Sequence, residues 1–136
     1  MGKYTDMSSI VLAVFGSDAW SAEDIVTHPS NFTGSVERNE YIRVSVITGN
    51  NALEYSQLNS MAGQILIEIF TKSGEGPLRA SQIADTLDKY LVGKIFPSSL
   101  GSVQCGPSLV SQGKVDAVNP ALFRTLYTVN VNYFRK

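Results

Sequence analysis

The sequence predicts an α+β fold: a mostly antiparallel mixed sheet of four to five strands with two main helices packed on it. Apolar and polar residues alternate in YIRVSVI (residues 41–47), in QILIEIFTK (64–72) and in LYTVNVNYF (126–134). Apolar residues recur instead at helical spacing in MSSIVLAVF (7–15) and ASQIADTLDKYL (80–91). The resulting order is helix, short strand, strand, strand, helix, strand, strand. At 136 residues the chain has room for one hydrophobic core.

Met7, Ile10, Val11, Val14 and Phe15 place a helix over 6–16, with Thr5 or Asp6 as its N-cap and Gly16 as its stop. Residues 17–39 are mostly turn chemistry around Pro29 and Gly34, with one short strand near 24–27. In the first clear strand Ile42, Val44 and Val46 share one face while Tyr41, Arg43 and Ser45 share the other. A stretch of about 15 residues without a period follows, long for an internal loop and therefore a candidate for function.

The next strand puts Ile65, Ile67 and Ile69 on one face and Leu66, Glu68 and Phe70 on the other. Ala80, Ile83, Ala84, Leu87, Tyr90 and Leu91 then form one helical stripe, with Gln82, Asp85, Asp88 and Lys89 on the solvated side. Gly93 and Pro97 end that helix. A weaker strand over 102–111 is broken by Gly106-Pro107, a turn-rich link follows, and Tyr127, Val129, Val131 and Tyr133 mark the inner face of the last strand.

Composition narrows the function classes. The chain is 43% hydrophobic and 17% charged with a formal net charge of −1, which fits a folded globular protein and lacks the basic footprint of a nucleic-acid groove. One cysteine leaves no partner for an intramolecular disulfide. The apolar run 10–15 is too short to span a bilayer, and Asp6 occupies the place where a myristoylation motif wants Ser or Thr. No membrane association is expected.

Enzyme motifs fail on their own requirements. SGEGP (73–77) joins a strand to a helix, but it has an acid inside the turn, a proline without N–H at its end and no Gly-Lys-Ser/Thr. Arg79 stands where a dinucleotide fingerprint needs its third small residue. The segment reads as a structural corner, with Pro77 as the first helical residue. His28 has no ligand spacing around it, and Cys105 reads as a half-buried small hydrophobe. Glu23-Asp24 and Asp85/Asp88 read as solvated carboxylates. No catalytic residue, cofactor or metal is expected.

Contact residues are the remaining candidates. Trp20 reads as a lid on the core edge. The loop 49–62 carries Leu53, Tyr55, Leu58 and Met61 among polar neighbours, apolar side chains for which a neighbouring subunit supplies a dry place. Asn50 on that loop, and Lys114 and Asp116 on the link 112–120, complete the candidate interface.

Taken in order, YIRVSVI, the long hairpin loop, GQILIEIFTKSGEG, ASQIADTLDKYL and RTLYTVNVNYFRK resemble the tail terminator (tail completion) proteins of long-tailed bacteriophages, over about residues 5–136. The resemblance implies a subunit of a hexameric ring. That ring caps the tail tube, stops its polymerisation and forms the joint to the head connector, while DNA passes through the lumen without sequence-specific binding. It places the protein in the virion tail or neck, assembled in the host cytoplasm, with the tube protein and neck proteins as partners. Two other readings stand beside it. One is a different neck or tail component or a small adaptor. The other is a small ligand-binding or enzymatic domain built on the Gly74–Gly76 turn with Glu68 or Asp85.

Overall fold

The computed structural model describes residues 2–29, 40–48, 60–74, 77–111, 113–115 and 121–135. Helix α1 (Lys3–Phe15) leads into a short α2 (Asp18–Ser21), then β1 (Thr27–Pro29), β2 (Tyr41–Thr48) and β3 (Ser60–Lys72). Helix α3 (Leu78–Leu91) follows, then β4 (Ile95–Pro97), β5 (Gly101–Val110), β6 (Lys114–Val115) and β7 (Leu122–Arg135).

All strands join one sheet in the order β1-β2-β3-β7-β5-β4, with β6 also on β7. Only β1 and β2 run parallel; the other pairings are antiparallel. Among the described residues there are seven strands, more than the expected four to five. The additions are β4 and β6, each too short to show a period, while α1 and α3 are the two expected main helices.

The last strand is the ruler of the sheet. β7 pairs with β3 from Ser60↔Phe134 to Lys72↔Leu122, and on its other side with β5 and β6. The register puts Ile65, Ile67 and Ile69 beside Val129, Tyr127 and Thr125, so the alternation read in each strand adds up to one continuous apolar face. Met7 and Val11 of α1 and Ile83, Leu87 and Leu91 of α3 pack on that face as one core. Each such buried aliphatic side chain contributes roughly 1.5–3 kcal/mol. α1 lies close because Gly63 leaves room: a Cβ there would come within 2.5 Å of the Ile47 carbonyl and 2.9 Å of the Met7 side chain.

Several boundaries differ from expectation for identifiable reasons. α1 begins at Lys3 with Gly2 as N-cap, so Asp6 lies inside the helix and is buried. The short first strand sits at 27–29, after Asp24 turns the chain with φ 56. Pro77 is the N-cap of α3 and not its first residue. Gly106-Pro107 does not end β5; it makes a bulge between Cys105 and Ser108, after which pairing resumes at Ser108↔Val129.

Candidate interaction surfaces

Two carboxylates with convergent polar partners, Asp6 and Asp88, turn inward. Asp6 of α1 accepts a hydrogen bond from the Tyr133 hydroxyl at 2.5 Å and one from Ser98 Oγ at 3.0 Å, both on Oδ2. Ser98 Oγ in turn accepts from the N–H groups of Leu100 and Gly101 at 3.1 and 3.0 Å. Burial, and then the bond to Asp6, push the Tyr133 hydroxyl up to about 12. Asp88 of α3 repeats the arrangement: its Oδ1 accepts from Tyr127 at 2.6 Å and from Ser108 Oγ at 2.7 Å. The Tyr127 hydroxyl is also raised, by burial first and by Asp88 second. Asp88 is thus a half-buried tie between helix and sheet, which corrects its assignment to the solvated side.

Other chemistry-bearing groups are likewise occupied with packing. Burial pushes the Cys105 thiol up to about 11, so at neutral pH it is neutral and a poor nucleophile. The His28 ring lies 5.6 Å from that of Tyr41 on the edge of the sheet. Among the described residues no group of three or more His, Cys, Asp or Glu could hold a metal ion, and no helix is long and apolar enough to cross a membrane. In the glycine corner Gly74 has φ 91, as a tight turn requires, and Glu75 and Gly76 lie outside the described residues.

The face of the sheet opposite the helices is mixed in character, and at one end of it Tyr41, Phe70 and Leu122 form a small buried cluster with Val26 packed against it. Glu68 at its centre accepts from Arg124 Nε at 2.6 Å and lies 3.8 Å from Arg43 Nη1. The Arg43 guanidinium lies 5.2 Å over the Phe70 ring, which stacks on Tyr41. Gln64 donates to Asn130 at 3.1 Å, and Ile47, Leu109 and Phe134 are exposed. Among the described residues no helix covers this face.

Of the predicted contact residues, Met61 is corrected outright. It belongs to β3, is 2% exposed and sits in the main core, because the strand starts at Ser60 within the presumed loop. Lys114 is exposed on β6, opposite Arg124. Asn50, Leu53, Tyr55, Leu58 and Asp116 lie outside the described residues. Trp20 is interior: it packs edge-on against Phe15 and Tyr90, and its Nε1–H donates to Thr27 Oγ1 at 2.9 Å.

One feature escaped the sequence reading. A groove of about 770 Å³ runs beside α1, walled by Ile10, Ala13 and Val14 on the helix and by Phe96, Pro97 and Leu100 opposite, with Lys89 and Lys94 on its rim. Its walls come from segments more than 70 residues apart, which no local pattern connects. The available signal was α1 itself, where Ile10, Ala13 and Val14 are apolar but are left exposed or half-buried along the groove.

No protein-family model matches the chain, and no curated protein matches it. A solved structure whose name describes no activity superposes with a TM-score of 0.68 at 16% identity, over 95% of this chain and 95% of its own. That likeness shows a shared fold and carries no function with it.

Proposed function

We propose that this chain is a structural virion subunit, a tail terminator that caps the tube of a long-tailed phage as a hexameric ring and joins it to the head connector. The observation that carries the proposal is the one-sided sheet. Its inner face is closed by α1 and α3, whereas its outer face, from Arg43 on β2 to Phe134 on β7, is left without a helix among the described residues. A subunit that works by docking needs such faces and needs no reacting groups.

The chemistry of the chain suits that role. Asp6 and Asp88 hold helices to the sheet, and Cys105 is buried. A closed ring uses two different patches per subunit, and the open face together with the segments 49–59 and 112–120 supplies candidates for them. Glu68 lies between Arg43 and Arg124 and offsets one of the two arginine charges at the centre of this face. The resemblance in element order supports the tube protein and the neck proteins as partners and the virion as the location.

Native mass spectrometry over a concentration series, with electron microscopy of the same sample, tests this reading. Rings of six subunits are expected. A chain that stays monomeric at every concentration and does not bind isolated tail tubes counts against it.

A further inference from the structure

We infer that the groove beside α1 is a seat for an amphipathic helix of another protein, one that carries an acidic residue next to its apolar face. The inference stands on the groove alone and does not depend on the ring.

The shape suits a helix. From Asp6 to Val14 the groove follows α1 for about 12 Å at the helical rise, and helix anchors at i, i+4 and i+7 span about 11 Å. Strand addition is disfavoured on the opposite wall, because β4 ends in Pro97, which has no N–H to offer. A small polar ligand also fits poorly. Such sites fix their occupant with convergent free polar groups, whereas the Asp6 carboxylate is held by Tyr133 and Ser98, and Ser98 by the turn it closes.

Charge gives the groove a direction. At its Asp6 end the carboxylate is buried and bound within the chain. At the other end the Tyr90 hydroxyl reaches the Ala19 carbonyl and Glu23 Oε1, and two cations, Lys89 and Lys94, stand on the rim against that one carboxylate; neither lysine forms a salt bridge among the described residues. An acidic side chain one turn beyond the last apolar anchor of a docked helix meets these lysines.

A second copy of this chain offers no such helix among the described residues. The apolar stripe of α3 is buried in its own core, and the single acid of α1, Asp6, is buried too. The described helices of a second copy thus do not supply the occupant, and the proposal commits to a helix of another protein.

Selection of a random peptide display library on the immobilised full chain tests this. The expected peptides carry apolar residues at helical spacing with Asp or Glu at one end. Their binding falls at least about tenfold on Ala13→Arg, which fills the groove, and on the double change Lys89→Glu with Lys94→Glu, and the double variant regains binding when the peptide acid is changed to Lys. Circular dichroism checks that the variants fold, and Ser9→Arg, on the same exposed side of α1, replaces Ala13→Arg where that variant does not. The inference is overturned if no selected peptide is sensitive to the groove variants, if the peptides that bind there lack an acid or ignore the charge reversal, or if Ala13→Arg instead disperses a self-associated form of this chain.

Discussion

Asp6 and Asp88 do the same job on two helices with unequal support. Each accepts from a tyrosine of β7 and from a serine on or next to β5. α3, however, also buries Ala80, Ile83, Ala84, Leu87 and Leu91, whereas α1 buries only Met7 and Val11 besides Asp6 itself. The N-terminus of α3 is further tied by Arg79, whose guanidinium meets both oxygens of Glu40 at 2.6 and 2.8 Å. A helix with few buried apolar side chains leans on its polar tie, and a helix with a full stripe does not.

The surroundings widen the difference. Asp6 is 4% exposed, and Tyr133 is fully buried. Gly101, which closes the Ser98 turn, has no space for a side chain: a Cβ would come within 2.5 Å of the Phe134 carbonyl and 2.9 Å of the Tyr133 hydroxyl. Loss of Asp6 takes the carboxylate partner from the fully buried Tyr133 hydroxyl; loss of Asp88 does the same to the fully buried Tyr127 hydroxyl, but the half-buried Asp88 side has better access to water.

Asp6→Ala is expected to have the largest effect, a loss of about 3 kcal/mol in urea denaturation, since it orphans a buried hydroxyl and frees the Ser98 turn. Tyr133→Phe follows at about 2 kcal/mol, because Asp6 keeps Ser98 as a partner. Asp88→Ala is expected to cost about 1.5 kcal/mol and Tyr127→Phe about 1 kcal/mol. If the Asp88 variant proves as costly as the Asp6 variant, the comparison fails.

A separate effect is alkaline, and the raised Tyr127 hydroxyl contributes to it alongside Tyr133 and Cys105. A tyrosine whose hydroxyl is raised in the folded chain favours the protonated form, so its contribution is complete below the ordinary tyrosine value and is lost as pH rises toward about 12 for Tyr133. Cys105 acts in the same direction, its contribution fading from the ordinary thiol range up to about 11. Thermal melts of wild type are expected to hold steady to about pH 9 and to fall from there toward pH 12. Tyr133→Phe flattens the upper part of that fall, and an unchanged slope contradicts the assignment of Tyr133.

What the sequence revealed follows from how local each feature is. β2, β3, α3 and β7 are long enough to repeat their period several times, so their faces were legible. β4 and β6 are not, and their existence depends on β5 and β7 as templates. Asp88 was misread because its position on the helix is solvated until Tyr127 and Ser108 arrive from distant strands. Helix-start preferences offer Thr5 or Asp6 as the cap of α1, whereas the partner that draws Asp6 inward, Tyr133, stands at the other end of the chain. The groove had no sequence signature because its walls meet only in the fold.

The proposed role would make the gene a phage gene, and its most direct test is electron microscopy of particles produced after that gene is disrupted. The account predicts tail tubes of uncontrolled length and heads left unjoined, both restored by the wild-type chain supplied in trans. Tails of normal length joined to heads in the absence of the protein would contradict it.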